Sequence, residues 1–214
     1  MTFQAAQCLF DHLRLFPDLP LIASMNWQWN SAVVVLSQEH QLARYPSMEP
    51  RPNIGAFTHE FTAVLGELEL DCGDAKSIVD LLARWVADRA HSGGIEIFQD
   101  LTPGATDASL RRAIESSPIA NRTRVTTSRR RAPRSKVWSA IDDHLESAMH
   151  MFRLVVDPNR APGTAMELRS QFDPARSERE RATPSPDATP FLDAFSAYFE
   201  RRHVEATRVR VVDA

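Results

Sequence analysis

The side chains best spaced to do chemistry are Asp143, Glu146 and His150, at i, i+3 and i+7. On a helix that spacing aligns two carboxylates and an imidazole along one face, an incomplete metal shell that needs ligands from a second element. His59 and Glu60 are other groups of suitable type. The same spacing also makes the solvated side of an amphipathic helix, and that plainer reading is preferred, with no metal and no cofactor expected.

Covalent catalysis finds little support. Cys8 and Cys72 lack a cationic neighbour that would favour a thiolate, and Glu69, Asp71 and Asp74 around Cys72 oppose one. No Gly-x-Ser-x-Gly elbow occurs. The chain holds only 7 glycines, and none falls at the spacing of a phosphate loop or a dinucleotide fingerprint.

Contact chemistry is better represented. Seven cations and no acid lie between Asn121 and Lys136, namely Arg122, Arg124, Arg129, Arg130, Arg131, Arg134 and Lys136. Thr123, Thr126, Thr127 and Ser128 are interleaved with them. Guanidinium forks and hydroxyls suit phosphate oxygens, so this segment is the candidate site for nucleic acid or another anionic partner. Arg201, Arg202, His203, Arg208 and Arg210 would extend such a patch. Against it, Asp142, Asp143 and Glu146 follow closely and would be repelled by phosphates, which leaves a solvated loop as the competing reading. Only Lys76 and Lys136 are lysines, a bias that a GC-rich coding sequence also produces.

These residues need elements to hold them. Phe3, Ala6, Phe10 and Leu13 recur at helical spacing, which predicts a helix over 3–15 that ends before Pro17. Leu21–Met25 and Ala32–Leu36 flank a polar turn and read as a hairpin, with Trp27 and Trp29 covering one face. Prolines 46, 50 and 52 mark a stiff connector. Phe61–Leu70 reads as a third strand, and Asp74 as the cap of a helix carrying Ile78, Leu81, Leu82, Trp85 and Val86. Gly93-Gly94 is read as its C-cap. Further on, Ile95–Phe98 is expected as an edge strand, Thr106–Glu115 as a helix, Asn121–Lys136 as a basic loop, and Ser135 as the cap of a helix bearing Trp138, Ile141 and Leu145. Arg153–Val156 is a short strand, and Thr189 and Pro190 open a last helix through Phe191, Phe195, Tyr198 and Phe199. Thr207–Val212 alternates arginine and valine as a terminal strand would.

The expected class is α+β: a small antiparallel sheet with flanking helices in an N-terminal α-β-β-β-α unit, then a C-terminal helical segment. The expected units are an acidic domain over 1–100, a basic loop plus helix over 101–172, a flexible linker over 173–190, and a terminal helix and strand over 191–214. Charge supports that split. Residues 1–100 carry 13 acids against 6 bases, and residues 101–214 carry 15 against 19.

With 43% hydrophobic and 25% charged residues, a chain of 214 has enough apolar material for a core without staples. No leader or long apolar stretch is evident, so a cytoplasmic location and no membrane partner are expected. The leading functional expectation is a non-catalytic binding or regulatory accessory protein, of the kind carried by bacterial mobile elements, with a protein partner. The second is a nucleic-acid-binding protein acting through residues 121–136. The third is a metal-dependent enzyme using Asp143, Glu146 and His150.

Overall fold

Val33, Val34 and Val35 form a β-branched run, stiff at χ1 and suited to a strand packed on both faces. The computed structural model describes residues 9–11, 13–27, 31–41, 60–71, 74–100, 106–128, 134–145, 154–172 and 190–201. In it the valines centre β2 (Ser31–Gln41), antiparallel to β1 (Leu21–Trp27) on one side and to β3 (Glu60–Asp71) on the other. The hairpin and third strand therefore form as expected, with a register shift between Leu36 and Ser37.

The chain then crosses over through helix α1 (Ala75–Asp88) to β4 (Ile95–Asp100), which lies parallel to β1. A second crossover, α2 (Thr106–Glu115), leads to β5 (Thr123–Ser128), parallel to β4. After α3 (Arg134–Leu145), β6 (Leu154–Val156) pairs parallel to β3. The sheet order is β5-β4-β1-β2-β3-β6. The α+β class holds, but the sheet is larger than expected and mixed, with β2 alone running against the rest. β4 is an interior strand, not an edge, because Leu21–Met25 and Thr123–Ser128 pair on either side of it. Strands from both halves of the chain share this sheet.

Helices cover both faces. Leu21, Ala23, Met25, Val34, Ile95 and Ile97 point to the side of α1 and α2, together with Ile78, Leu82 and Leu110. Ile22, Val33, Val35, Val64 and Val156 point the other way, to α3, α4 (Pro162–Phe172) and α5 (Pro190–Phe199). Two buried faces explain why β1 and β2 read as near-continuous apolar runs and not as alternation. No helix among the described residues is long and apolar enough to cross a membrane.

The predicted helix over 3–15 is not formed where residues are described. Leu9 bridges Val156, Phe10 N–H donates to the Val156 carbonyl at 3.0 Å, and residues 13–16 are irregular. Tertiary contacts override the helical spacing: Leu13 is buried with Phe61, Leu65 and Val155. The Gln38 carboxamide also supplies the backbone bonds that a helix would have made, accepting from Phe16 N–H at 3.0 Å and donating to the Phe16 and Leu19 carbonyls at 2.9 and 3.1 Å.

Asp74 does cap α1, accepting from Ser77 N–H at 2.9 Å. The helix stops differently from expectation. Ala90, with φ of 50°, takes the left-handed position, and His91 N–H reaches back to the Val86 carbonyl at 3.1 Å. Gly93 serves closeness instead: a Cβ there would stand 2.4 Å from the Leu19 carbonyl oxygen, while its N–H donates to the Pro17 carbonyl at 2.7 Å. Since backbone cannot yield as a side chain can, Gly93→Ala is expected to destabilise the fold by about 2–3 kcal/mol in chemical denaturation.

Helix α4 was not anticipated. Its buried side carries Thr164, Glu167 and Gln171 beside Ala165, Leu168 and Phe172, which blurs the apolar stripe. Those polar groups have work. Glu67 on β3 accepts from Gly163 and Thr164 N–H at 2.8 and 2.9 Å, capping α4 from outside. Glu167 repeats the arrangement one helix later, accepting from Phe191 and Leu192 N–H at 3.3 and 2.8 Å at the start of α5. Trp29, both cysteines, His59, the proline connector, Thr189, the linker over 173–189 and the Thr207–Val212 strand lie outside the described residues.

Candidate functional site at the carboxyl edge of the sheet

In open sheets with parallel strands, ligands bind outside the carboxyl ends where the strand order reverses. Here the chain builds outward from β1 through β2 to β3, then returns to the other side of β1 for β4 and β5. The reversal falls between β1 and β4, so by that rule a ligand crevice would lie at the carboxyl ends of β1, β4 and β5.

Apolar runs deliver polar residues to that edge. At the end of β1, the Asn26 Nδ2 donates to the Pro190 carbonyl at 3.4 Å, tying the first residue of α5 to the crevice. The neighbouring Trp27 Nε1 donates to Gln99 Oε1 at 3.2 Å. Gln99, buried near the end of β4, donates onward from Nε2 to Asp107 Oδ1 at 2.8 Å. The Thr127 hydroxyl at the end of β5 donates to the same oxygen at 3.2 Å, and Arg111 Nε to the other carboxylate oxygen at 3.2 Å. Asp107 is thus held by three donors from three elements. The network therefore joins carboxamides, an indole and a hydroxyl to the Asp107–Arg111 ion pair. Among the described residues no group of three His, Cys, Asp or Glu could hold a metal.

The candidate basic segment meets this edge. Its first half forms β5, not a loop, and β5 ends at Ser128, directly before the Arg129-Arg130-Arg131 triplet in the chain. The triplet itself lies outside the described residues; the chain resumes at Arg134, the first residue of α3. Arg124 and Lys136 are exposed. Arg122 has an internal task, with Nη1 donating to the His91 carbonyl at 2.5 Å. It clamps the loop that follows α1, and its charge combines with burial, the larger effect, to hold the His91 pKa below its usual value.

Of the candidate metal set, only the backbone of Asp143 is described, within α3; Glu146 and His150 lie outside the described residues. Ser135 lies inside α3 rather than capping it, and Val137, Trp138 and Ile141 are its buried stripe.

A concavity of about 670 Å³ opens at the opposite edge, lined by Ile22, Phe98, Glu39, Glu96, Arg124 and Tyr198 among others. There the Tyr198 hydroxyl donates to Glu39 at 2.9 Å, while its ring meets Phe98 edge-on at 5.4 Å.

Asn26, Gln99 and Asp107 were not singled out from the sequence. The available signal was a polar residue ending each of two apolar runs, and it acquires meaning only when β1 and β4 are known to be parallel neighbours. Compared with models of known protein families and with curated protein sequences, the chain matches none.

Proposed function

We propose that this chain is a non-catalytic binding protein that holds nucleic acid at the carboxyl edge of its sheet, with the arginines that follow β5 in the arginine-rich segment 121–136 supplying the phosphate contacts. The observation that carries this reading is the junction at Ser128. The most basic stretch of the chain departs from the strand end that borders the reversal point, beside the Gln99–Asp107–Thr127 network. The partly exposed Asn26 and Thr127 carry oxygens able to accept from bases and sugars, and Asp107 is neutralised by Arg111, while the arginines after Ser128 provide the sequence-independent attraction. The acidic N-terminal half and the basic segment together would orient the duplex or strand toward this edge.

The test is binding of the full chain to duplex and single-stranded oligonucleotides by fluorescence anisotropy across a salt series. Affinity should fall steeply with salt. Reversing Arg129, Arg130 and Arg131 to glutamate should weaken binding to every sequence alike by at least about tenfold and flatten the salt slope by about three. Absent binding, or binding indifferent to salt and to the triple reversal, would remove the proposal.

A further inference from the structure

We propose that the groove between the Leu13–Phe16 segment, the end of α1 and the turn before α4 is an anion site that takes a phosphate group. It is an open groove of about 880 Å³, lined by Leu13, Arg14, Leu15, Phe16, Asp88, Arg89 and Arg160. Three guanidinium residues therefore face one concavity with a single carboxylate, Asp88, among them.

Two of these arginines are fixed before any ligand arrives. Arg89 lies over the Trp85 ring, its guanidinium carbon 4.2 Å from the centroid, and donates from Nη1 to the Trp85 carbonyl at 3.3 Å. Arg160 donates from Nη1 to the Leu13 carbonyl at 3.1 Å, and its Nε stands 3.6 Å from Oδ2 of the buried Asp157. A guanidinium has five N–H donors, so both keep a free fork after these bonds. Among the described residues no carboxylate forms an ion pair with Arg89.

The two cations are also close enough to oppose each other. Burial first, and then the charge of Arg160, lower the Arg89 pKa from its usual value. Asp157 beside Arg160 and Asp88 beside Arg89 offset part of this repulsion, and an anion between the two forks would remove the rest. A phosphate group fits best, because it offers two negative charges and several acceptor oxygens to planar forks. Leu15 and Phe16 give the remainder of a phosphate ester an apolar wall. The phosphate could belong to a small ester or to a nucleic-acid backbone. This groove shares no residue with the carboxyl-edge crevice, so the inference stands or falls separately from the proposed function.

The full chain should be titrated by calorimetry with inorganic phosphate, with pyrophosphate and with a short DNA duplex, at constant ionic strength held by chloride. Saturable binding of pyrophosphate is expected, tighter than that of phosphate. Arg89→Gln and Arg160→Gln should each weaken it at least tenfold, while Arg84→Gln, an exposed change on α1, should leave it unaltered. Arg89 and Arg160 are themselves exposed, so both variants should fold, which circular dichroism checks. Competition of the duplex with pyrophosphate would identify the backbone as the source, as would duplex binding alone that depends on Arg89. Its absence, with pyrophosphate bound, would identify a small ester. No binding of any probe that depends on Arg89 and Arg160 would overturn the proposal.

Discussion

Truncating Phe195 to alanine is expected to lower stability by about 3–5 kcal/mol, the usual range for a buried phenylalanine. Phe195 is 1% exposed and sits in the middle of α5, where its ring meets Tyr198 at 5.7 Å and Phe199 at 5.5 Å. This helix lies across β1, β2 and β4, and its aromatic residues fill the space over Ile22, Val35 and Phe98. A cavity there has rigid walls, since strands lie beneath it and α3 and α4 beside it, so the site cannot collapse to compensate. The expected loss should appear in urea unfolding as a shifted midpoint with an unchanged slope. A loss below about 1 kcal/mol would mean that α5 is not an integral part of the core.

Glu167 should make stability depend on pH in an unusual direction. Burial raises its pKa from the ordinary 4.5 to about 7, with Asp193 and Glu67 adding repulsion, while the N–H groups of Leu192 and Phe191 pull the other way. Between those two values the folded chain keeps a proton that the unfolded chain has released. The contribution is therefore complete below pH 4.5 and is lost as pH rises through 7. Glu167→Gln removes the titration while keeping the shape and one acceptor for the α5 N-terminus. Relative to the parent, that variant should gain on the order of 2–3 kcal/mol on going from pH 5 to pH 8. Parallel stability curves for the two proteins over that interval would show that the carboxyl stays charged, held by its two backbone donors.

Local chemistry made much of this architecture legible. The β-branched run of β2, the Asp74 cap and the bounds of α2 follow from preferences that act within a few residues, and each forms where those preferences place it. Failures occur where a distant partner supplies what local sequence lacks. The segment ending at Phe16 has helical spacing but receives its backbone bonds from Gln38. Helix α4 lacks a clean stripe because its buried polar residues are satisfied by Glu67 and by the start of α5. The glycine pair after α1 looks like a stop signal, yet the stop is at Ala90 and Gly93 makes room for Leu19.

The candidate sites divide in the same way. The arginine run is plain in the amino-acid order, because seven like charges in sixteen residues need no partner to be noticed. The edge it borders is invisible there: Asn26, Gln99, Asp107 and Thr127 are spread over about a hundred positions and become neighbours only through two parallel crossovers. The same holds for Arg89 and Arg160, brought to one groove by β6 pairing with β3. Surface charge and most element types were thus determined by the sequence alone, since both arise from short-range backbone preference and from composition. Strand order, the faces that helices cover and the grouping of polar side chains were decided by tertiary structure. They depend on which apolar surfaces bury each other, and that is a property of the folded whole.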